Sequence, residues 1–577
     1  MARDQRPLSA RPAGKQGEGK LSPALLLAAS LLWVFACLWF PLTDTDIWWH
    51  LASAKLMWAR KAFLREDPFC LVSLGTPWTD LHWGFQCLSY AAWKAGGAKA
   101  LVAGKCLAVA GALAFALKPH LDRRTISWLI PPAAFGIFHV RFFIDVRPLA
   151  LTLLGLGIQY AAVVSHLRGG LRRPWLALLP VQIALVNIQG LYPLGALLVT
   201  CLTLGAYLAR IGTGKGMERK AEGPENLGPL AWTCCALWCA GLVSPYGLSG
   251  FKLPLSLLGR IAPVSSNIFS SEIAENLPFT DLLRHHPMEA LPFLFFFLLV
   301  IFTFDRARAR FSPGHALLVL AFAALGWMAQ RNLPLAMLAG LMAAGRNLQV
   351  SLAGTPGAEI PVQVRAGYAA RLMPCAGWAA LTAIVLLYGT KVLRAWKYEL
   401  PGSMETPFRF PAPAVDYLEK NPLPGNVFNE LRYGGYMEFR LYPGKLAFVD
   451  GRMILRTPEF YRDFLSVVDH PEGFEAYRSR YALTHCVLPI SEDRRFLPLA
   501  AHLLRENGWS LLYCDGASVI LADSATMAAA LPPVIPVPDA IHARFAANPR
   551  LESMAIRNAV DFLRAAGRED AAAHLSR

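Results

Sequence analysis

Charge is scarce in this chain: Asp, Glu, Lys and Arg make up 17% of its 577 residues, against 55% hydrophobic side chains. Soluble domains carry about a quarter charged residues, so repeated long apolar runs at this composition exclude an ordinary soluble protein. Acids are the scarcer sign, 40 against 56 Lys and Arg. The excess of +16 would suit nucleic acid. In a membrane protein, however, basic residues gather in cytoplasmic loops and beside anionic headgroups, so nucleic acid is set aside as a partner. No CxxC occurs among the 11 cysteines, and Cys106, Cys201, Cys234, Cys235 and Cys239 lie inside apolar runs where a small polarisable side chain packs. No ligand cluster has diagnostic metal spacing either, so no metal site is assigned and no cofactor is certain; a divalent cation stays open as a requirement. There is no cleavable small-residue site near the polar, basic start, and Leu25 to Phe40 is expected to be a retained first span. No sustained internal repeat is present.

What is present is a series of apolar segments. After the first, candidate spans lie at 99–117, 124–139, 148–166, 175–189, 192–209, 228–243, 288–304, 313–329, 332–345 and 369–390. The fold class expected is therefore a polytopic α-helical membrane protein with about eleven transmembrane helices. The segment 80–97 is short, holds Asp80, His82 and Lys94 and ends in Gly96-Gly97, so it is placed as a helix at the outer interface. Charge tests that choice. With 80–97 not crossing, the loops on the N-terminal side hold 21 Lys and Arg in 77 residues and the opposite loops 11 in 120, the bias that the positive-inside rule demands. The expected organisation is a cytoplasmic tail 1–22, a transmembrane domain 23–390 with an outer loop 42–98, an external α/β domain 391–535 and a helical tail 536–577.

The α/β reading rests on short strand-like pieces, Gly425 to Glu430, Lys445 to Val449, Thr484 to Ile490, Trp509 to Cys514 and Ser518 to Ala522, between helical stretches such as Thr457 to Val468 and Leu497 to Asn507. Arg432-Tyr433-Gly434-Gly435-Tyr436 and Val449-Asp450-Gly451-Arg452 read as turns, with Asp450 and Arg452 as a structural pair.

Unusual chemistry collects in the outer loops. Thr43-Asp44-Thr45-Asp46-Ile47-Trp48-Trp49-His50 follows the first span directly, and 46–62 has the spacing of an amphipathic helix resting on the outer leaflet. Loop 42–98 also holds Asp67, Asp80 and His82; Trp48, Trp49, Trp78 and Trp83 suit headgroup anchoring. Further outer clusters are Arg141, Asp145 and Arg147-Pro148, then Asn187 to Gly190 with Gln189, Ser244 to Gly247 with Tyr246, Glu272 with Glu275, and Gln330-Arg331-Asn332. One site assembled from several of these loops is the economical reading. From the residues alone each group keeps an alternative: aspartate caps helices, arginines snorkel at helix ends, and His82 can be a structural hydrogen-bonding residue.

One span, an acidic outer loop carrying "DTDIWWHLASAKLMWARKAFLREDPF" and "GTPWTDLHWGFQCLSYAAWKAGG", and many further spans resemble the GT-C superfamily of membrane glycosyltransferases. The similarity is to the bacterial branch near the protein O-mannosyltransferases and the aminoarabinose transferase of lipid A, and the pieces "NIQG", "SPYG", "RN", "YGGY" and "FVDGR" extend it over most of the chain. The sequence departs from that branch at Gln189, Ser244 and Asp80-Leu81-His82. The resemblance implies an integral enzyme of a bacterial inner membrane that moves a sugar, with inversion, from a polyprenyl-phosphate-linked donor to an envelope acceptor at the outer face among membrane lipids. It implies Asp46, or else Asp44, as general base, and a substrate site drawn from Trp49, His50, Asp80, His82, Arg141, Arg147, Asn187, Gln189, Tyr246, Glu272 and Arg331. Competing readings are a non-enzymatic subunit that binds, transports or assembles polyprenyl-linked glycan, and a sensor using the C-terminal domain.

Overall fold

The computed structural model describes residues 23–212, 226–261, 268–353, 404–491, 494–506, 508–527 and 533–576. The tail 1–22 and the expected last span 369–390 lie outside the described residues. Among the described residues, fourteen α-helices occupy the N-terminal portion: α1 (Pro23–Leu38), α2 (Asp46–Arg60), α3 (Trp83–Leu117), α4 (Arg123–Val140), α5 (Pro148–Leu167), α6 (Trp175–Val186), α7 (Pro193–Gly212), α8 (Gly228–Cys239), α9 (Gly247–Ile261), α10 (Ile268–Ser271), α11 (Phe279–His285), α12 (Pro287–Arg306), α13 (Pro313–Met328) and α14 (Leu333–Leu352). Ten of the expected spans fall on these helices. Five of the helical segments are long and apolar enough to cross a membrane, six if the bent α8–α9 pair counts as one, so the expected number of about eleven is not established. For α1 and α13, with 16 residues, and α6 and α8, with 12, the shortfall is one of length, where crossing takes about 20; α14 has 20 residues but is not apolar enough over that length.

The α3 helix carries its break at Gly96 and Gly97, whose backbones are non-helical, Gly97 with φ 59°. That is where the sequence separates an outer helix from a span. The α9 helix was not expected: the chain bends by 101° between the α8 segment and α9, so "SPYG" is a helix–helix corner and not the start of a long irregular loop. At the centre stands α14, buried without interruption from Leu333 to Gly345 and packed on α13, α4 and α12. By contrast α12 exposes Phe295, Leu298 and Ile301, as a helix facing lipid does.

The C-terminal portion holds one four-stranded sheet, β1 (Asn426–Asn429), β2 (Leu483–Pro489), β3 (Trp509–Cys514) and β4 (Ser518–Asp523), in the order β1-β2-β4-β3. β1 and β2 are parallel, the other pairs antiparallel. Four expected strands are thus present. The fifth, Lys445 to Val449, is not: Ala447 makes only an isolated bridge to Cys70 of the outer loop. "RYGGY" is likewise no turn but lies in the helix Leu431–Leu441. Three helices, Val537–Phe545, Pro549–Ala565 and Glu569–Leu575, follow, and Phe545, Leu551 and Phe562 share the apolar core of the sheet, so this stretch packs as a portion of the domain.

The largest correction concerns α2. Ile47 to Ala54 and Met57 are all buried, because the helix is clamped between α3 and the helix Leu431–Leu441 instead of resting on a leaflet. Trp48 is 1% exposed, with Trp93, Phe410, Tyr436 and Phe439 around its ring. Trp49 and Trp78 are buried too, so these three rings are core and not headgroup anchors.

Candidate functional site

Four connections and the C-terminal domain meet at one end of the bundle. The segment leaving α1 is tied down by Leu42, which exchanges backbone hydrogen bonds with Met404 and Thr406, and by Arg409 Nε, which donates to the Thr43 carbonyl at 2.7 Å. It then delivers Asp44 and opens α2 at Asp46, with the Asp46 N–H donating to Asp44 Oδ1 at 3.1 Å. The two acids converge on one point with Thr45 between them already helical, at φ −81° and ψ −19°.

Arg147 faces both. It precedes Pro148, which opens α5, and the clash between a proline ring and the residue before it favours the extended backbone seen there, φ −129° and ψ 160°. Its Nη2 donates to Asp44 Oδ1 at 2.7 Å and lies 3.6 Å from Asp46 Oδ2; Nε pairs with the second Asp44 oxygen and Nη1 with Glu275 Oε2. Behind Asp44, Asp145 accepts the Thr43 hydroxyl and stands 4.0 Å from the Lys105 ammonium, which lies over the Phe40 ring.

Glu275 comes from the connection before α11, held beside the α13–α14 turn by the Gln330 N–H donating to the Leu277 carbonyl at 3.0 Å. That turn carries Arg331, whose charge acts on Glu275 and Asp46. It is half-buried and makes no hydrogen bond or ion pair within 4.0 Å among the described residues. From the C-terminal domain Gly451 closes over Asp46: a Cβ there would stand 2.3 Å from Asp46 Oδ1. Gly435 makes a second close approach further along α2, where a Cβ would be 2.9 Å from Trp49 N.

Electrostatics separate the acids. Burial raises the Asp44 carboxyl, against the pull of Arg147. Burial and the adjacent Asp44 charge push Asp46 up to about 7, although its side chain keeps 34% of its exposure. Burial would raise Glu275 as well, but the Arg147 guanidinium holds it below the usual range. Burial pulls Arg331 down, yet a guanidinium stays a cation throughout the physiological range. His50, buried beside His82 and Phe85, is held neutral by burial and by the positive groups around it. The cluster thus offers a carboxylate poised near neutrality, a locked guanidinium and an uncommitted one.

Of the residues singled out in the sequence, Asp44, Asp46, Arg147 and Arg331 come together, with Trp49 and His50 next to them on α2. Of the others, the His82 ring stands beside His50 and Trp49, and the rest lie apart. Asp80 accepts from Gln86 Nε2 at 2.7 Å and from the His82 N–H, and Asn187 accepts the Trp83 indole and donates to Val243 O, so Asn187 pins the start of α3 to the end of α6. Tyr246 donates to the Leu64 carbonyl, Gln189 accepts from Thr152, and Arg141 lies over Phe138 and Phe142. Glu272 pairs with Arg495 of the C-terminal domain, while Glu275, three residues on, enters the cluster in its place. Spacing could not choose between the two.

A second buried network joins the halves. Arg452 reaches Asp67 at 2.9 Å, Glu438 at 3.3 Å and its neighbour Asp450; Arg456 adds Asp450 and Ser73. Cys70, Glu438 and Asp450 lie close enough to hold a cation, but Arg452 already pairs with both carboxylates and Arg456 with Asp450. The pair read as a local turn is a joint between domain and outer loop.

No protein-family model matches the chain, and no curated protein does. Its fold is similar to that of the archaeal oligosaccharyltransferase AglB from Archaeoglobus fulgidus in complex with an inhibitory peptide and a dolichol-phosphate, with a TM-score of 0.51, 13% identity, and coverage of 88% of this chain and 75% of that one. The apo oligosaccharyltransferase of the same organism aligns more loosely, with a TM-score of 0.47 at 13% identity over 84% of this chain and 72% of that chain. The likeness to AglB is one of fold.

Proposed function

We propose that this chain is a GT-C-type glycosyltransferase that takes a sugar from a polyprenyl-phosphate carrier and gives it to an envelope acceptor at the external face of a bacterial inner membrane. The observation that carries the reading is the pairing of Asp46, a partly open carboxylate with a neutral-range pKa, with Arg331, a guanidinium without a partner among the described residues. Transfer with inversion needs a base for the acceptor hydroxyl and a cation for the phosphate that leaves. Asp46 suits the first role because its basicity matches the operating pH. Arg331 suits the second because its donors are uncommitted, whereas those of Arg147 are spent on three carboxylates.

The lipid carrier is supported by the AglB structure, which holds a dolichol-phosphate and a peptide. The external placement is supported by the opposite end of the bundle, where the basic residues Arg168, Arg310 and Arg346 lie, Arg168 donating to Pro119 O at 2.6 Å. Purified protein given a polyprenyl-phosphate sugar should release polyprenyl phosphate, and Asp46→Asn should abolish release. Carrier binding without turnover in the wild type would favour the non-enzymatic reading instead.

A further inference from the structure

Three carboxylates brought from separate loops to one point are the donor set of a divalent-cation site, since oxygen ligands of this kind suit hard cations. Here Asp44, Asp46 and Glu275 meet in that way, and the point where they meet is taken by Arg147. Its planar fork divides the contacts among its nitrogens. Nε and Nη2 span the two Asp44 oxygens, Nη1 meets Glu275, and Nη2 also faces Asp46 at 3.6 Å. A metal ion brought to these oxygens would have to displace a guanidinium held by two carboxylates and by a backbone fixed through Pro148. The residues present do not fit a divalent cation.

We infer that Arg147 is the resident cation of this site, holding Asp44, Asp46 and Glu275 together in place of a metal ion, so that glycosyl transfer, which rests on the function proposed above, proceeds without a divalent cation. In this position Arg147 is a positioning residue. It fixes the Asp46 carboxylate without masking it, since its two closest pairings are to Asp44 and Glu275. It also keeps two further negative charges from repelling an incoming phosphate. The shape of the group matters: a lysine ammonium, a point charge on a flexible stem, cannot span Asp44 and Glu275 at once.

The inference predicts a gain of metal binding when the guanidinium is removed. Mn2+ titration of the full-length protein in detergent, followed by the electron paramagnetic resonance of free Mn2+, should show no binding in the wild type that Glu275→Gln abolishes. Arg147→Ala leaves three convergent carboxylates and should bind Mn2+ at least about tenfold more tightly than the wild type. Glu275→Gln in that background should remove the gain, and Arg147→Lys should show little of it. Transfer by the wild type should be unchanged by a chelator. Mn2+ binding by the wild type that Glu275→Gln removes, or a folded Arg147→Ala protein that gains none, overturns the inference. Should Arg147→Ala fail to fold, the wild-type titration with its Glu275→Gln control decides alone. If no preparation transfers sugar, the proposed function falls while the titration still settles the place of Arg147.

Discussion

Asp44 and Asp46 stand two residues apart and face the same guanidinium, yet their surroundings differ. Asp44 is 4% exposed, accepts two Arg147 donors and also holds the first N–H of α2. Asp46 touches Arg147 only at 3.6 Å and keeps an open edge. Asp46→Asn should therefore lower transfer by about 10²- to 10⁴-fold, the usual contribution of a general base, with little change in folding. Asp44→Asn should instead lower stability by about 3 kcal/mol, because it unbalances a buried ion pair, and thermal unfolding would register it. The pH profile follows from Asp46: the base works deprotonated, so transfer should rise as pH passes upward through about 7. Stability has the opposite sign. The folded state holds the Asp46 proton to higher pH than the unfolded chain, whose carboxyl titrates near 3.8, so stability falls as pH rises between these values and Asp46→Asn should melt no lower than wild type at pH 8. Arg331 gives a complementary test. Having no ion pair to lose among the described residues, Arg331→Gln should leave the melting temperature unchanged while raising KM for the phosphate-linked donor, and a fall in melting temperature would show that the group is structural.

At the level of elements, the sequence is most readable where a structure is local. The run Leu483–Pro489 is almost wholly buried, and the stretch Thr484 to Ile490 reads correctly as a strand. The break at Gly96-Gly97 and the start of α5 at Pro148 are local in the same sense. Lys445 to Val449 misleads because its one bridge is to Cys70 in the outer loop, a partner no periodicity reveals. The spacing of α2 shows a helix, but not that its apolar face is covered by protein. The "YGGY" glycines mark a close helix approach and not a turn: a Cβ on Gly434 would lie 2.0 Å from the Val449 carbonyl oxygen, and on Gly435 2.9 Å from Trp49 N. Magnitudes make the distinction testable. On an exposed helix Gly→Ala would add about 1 kcal/mol of stability through helix propensity. Here steric conflict with backbone should outweigh it, and Gly435→Ala is expected to destabilise by about 1–3 kcal/mol in thermal or denaturant unfolding.

Over the whole molecule, the candidate site belongs to neither half alone. The bundle contributes Asp44, Asp46, Arg147, Glu275 and Arg331, but the C-terminal domain places Gly451 against Asp46, Gly435 against Trp49, and Tyr436 and Phe410 around Trp48. The fastening is Arg452, 3% exposed, which pairs with Asp450 and Glu438 on its own side and with Asp67 across the junction. Burial alone would raise the Asp450 carboxyl, yet the Arg452 and Arg456 guanidinium groups hold it below its usual range, whereas burial and the neighbouring Asp450 charge hold Glu438 well above its own, so the Asp450 charge depends on both cations. Removing one cation leaves buried carboxylates uncompensated, which costs about 3–5 kcal/mol, far more than a surface pair of equal length. Arg452→Ala should therefore lower the unfolding transition. It should also depress transfer although Arg452 lies outside the cluster around Asp46, because the turn that carries Gly451 loses its anchor. Far-ultraviolet circular dichroism follows the helices throughout, and tryptophan fluorescence follows the packing around 16 indoles, Trp48 and Trp49 at the junction among them. In wild type the two signals should change together on heating. In Arg452→Ala the fluorescence change should come first, and coincident transitions with full transfer activity would show that the domain reaches the site without this joint.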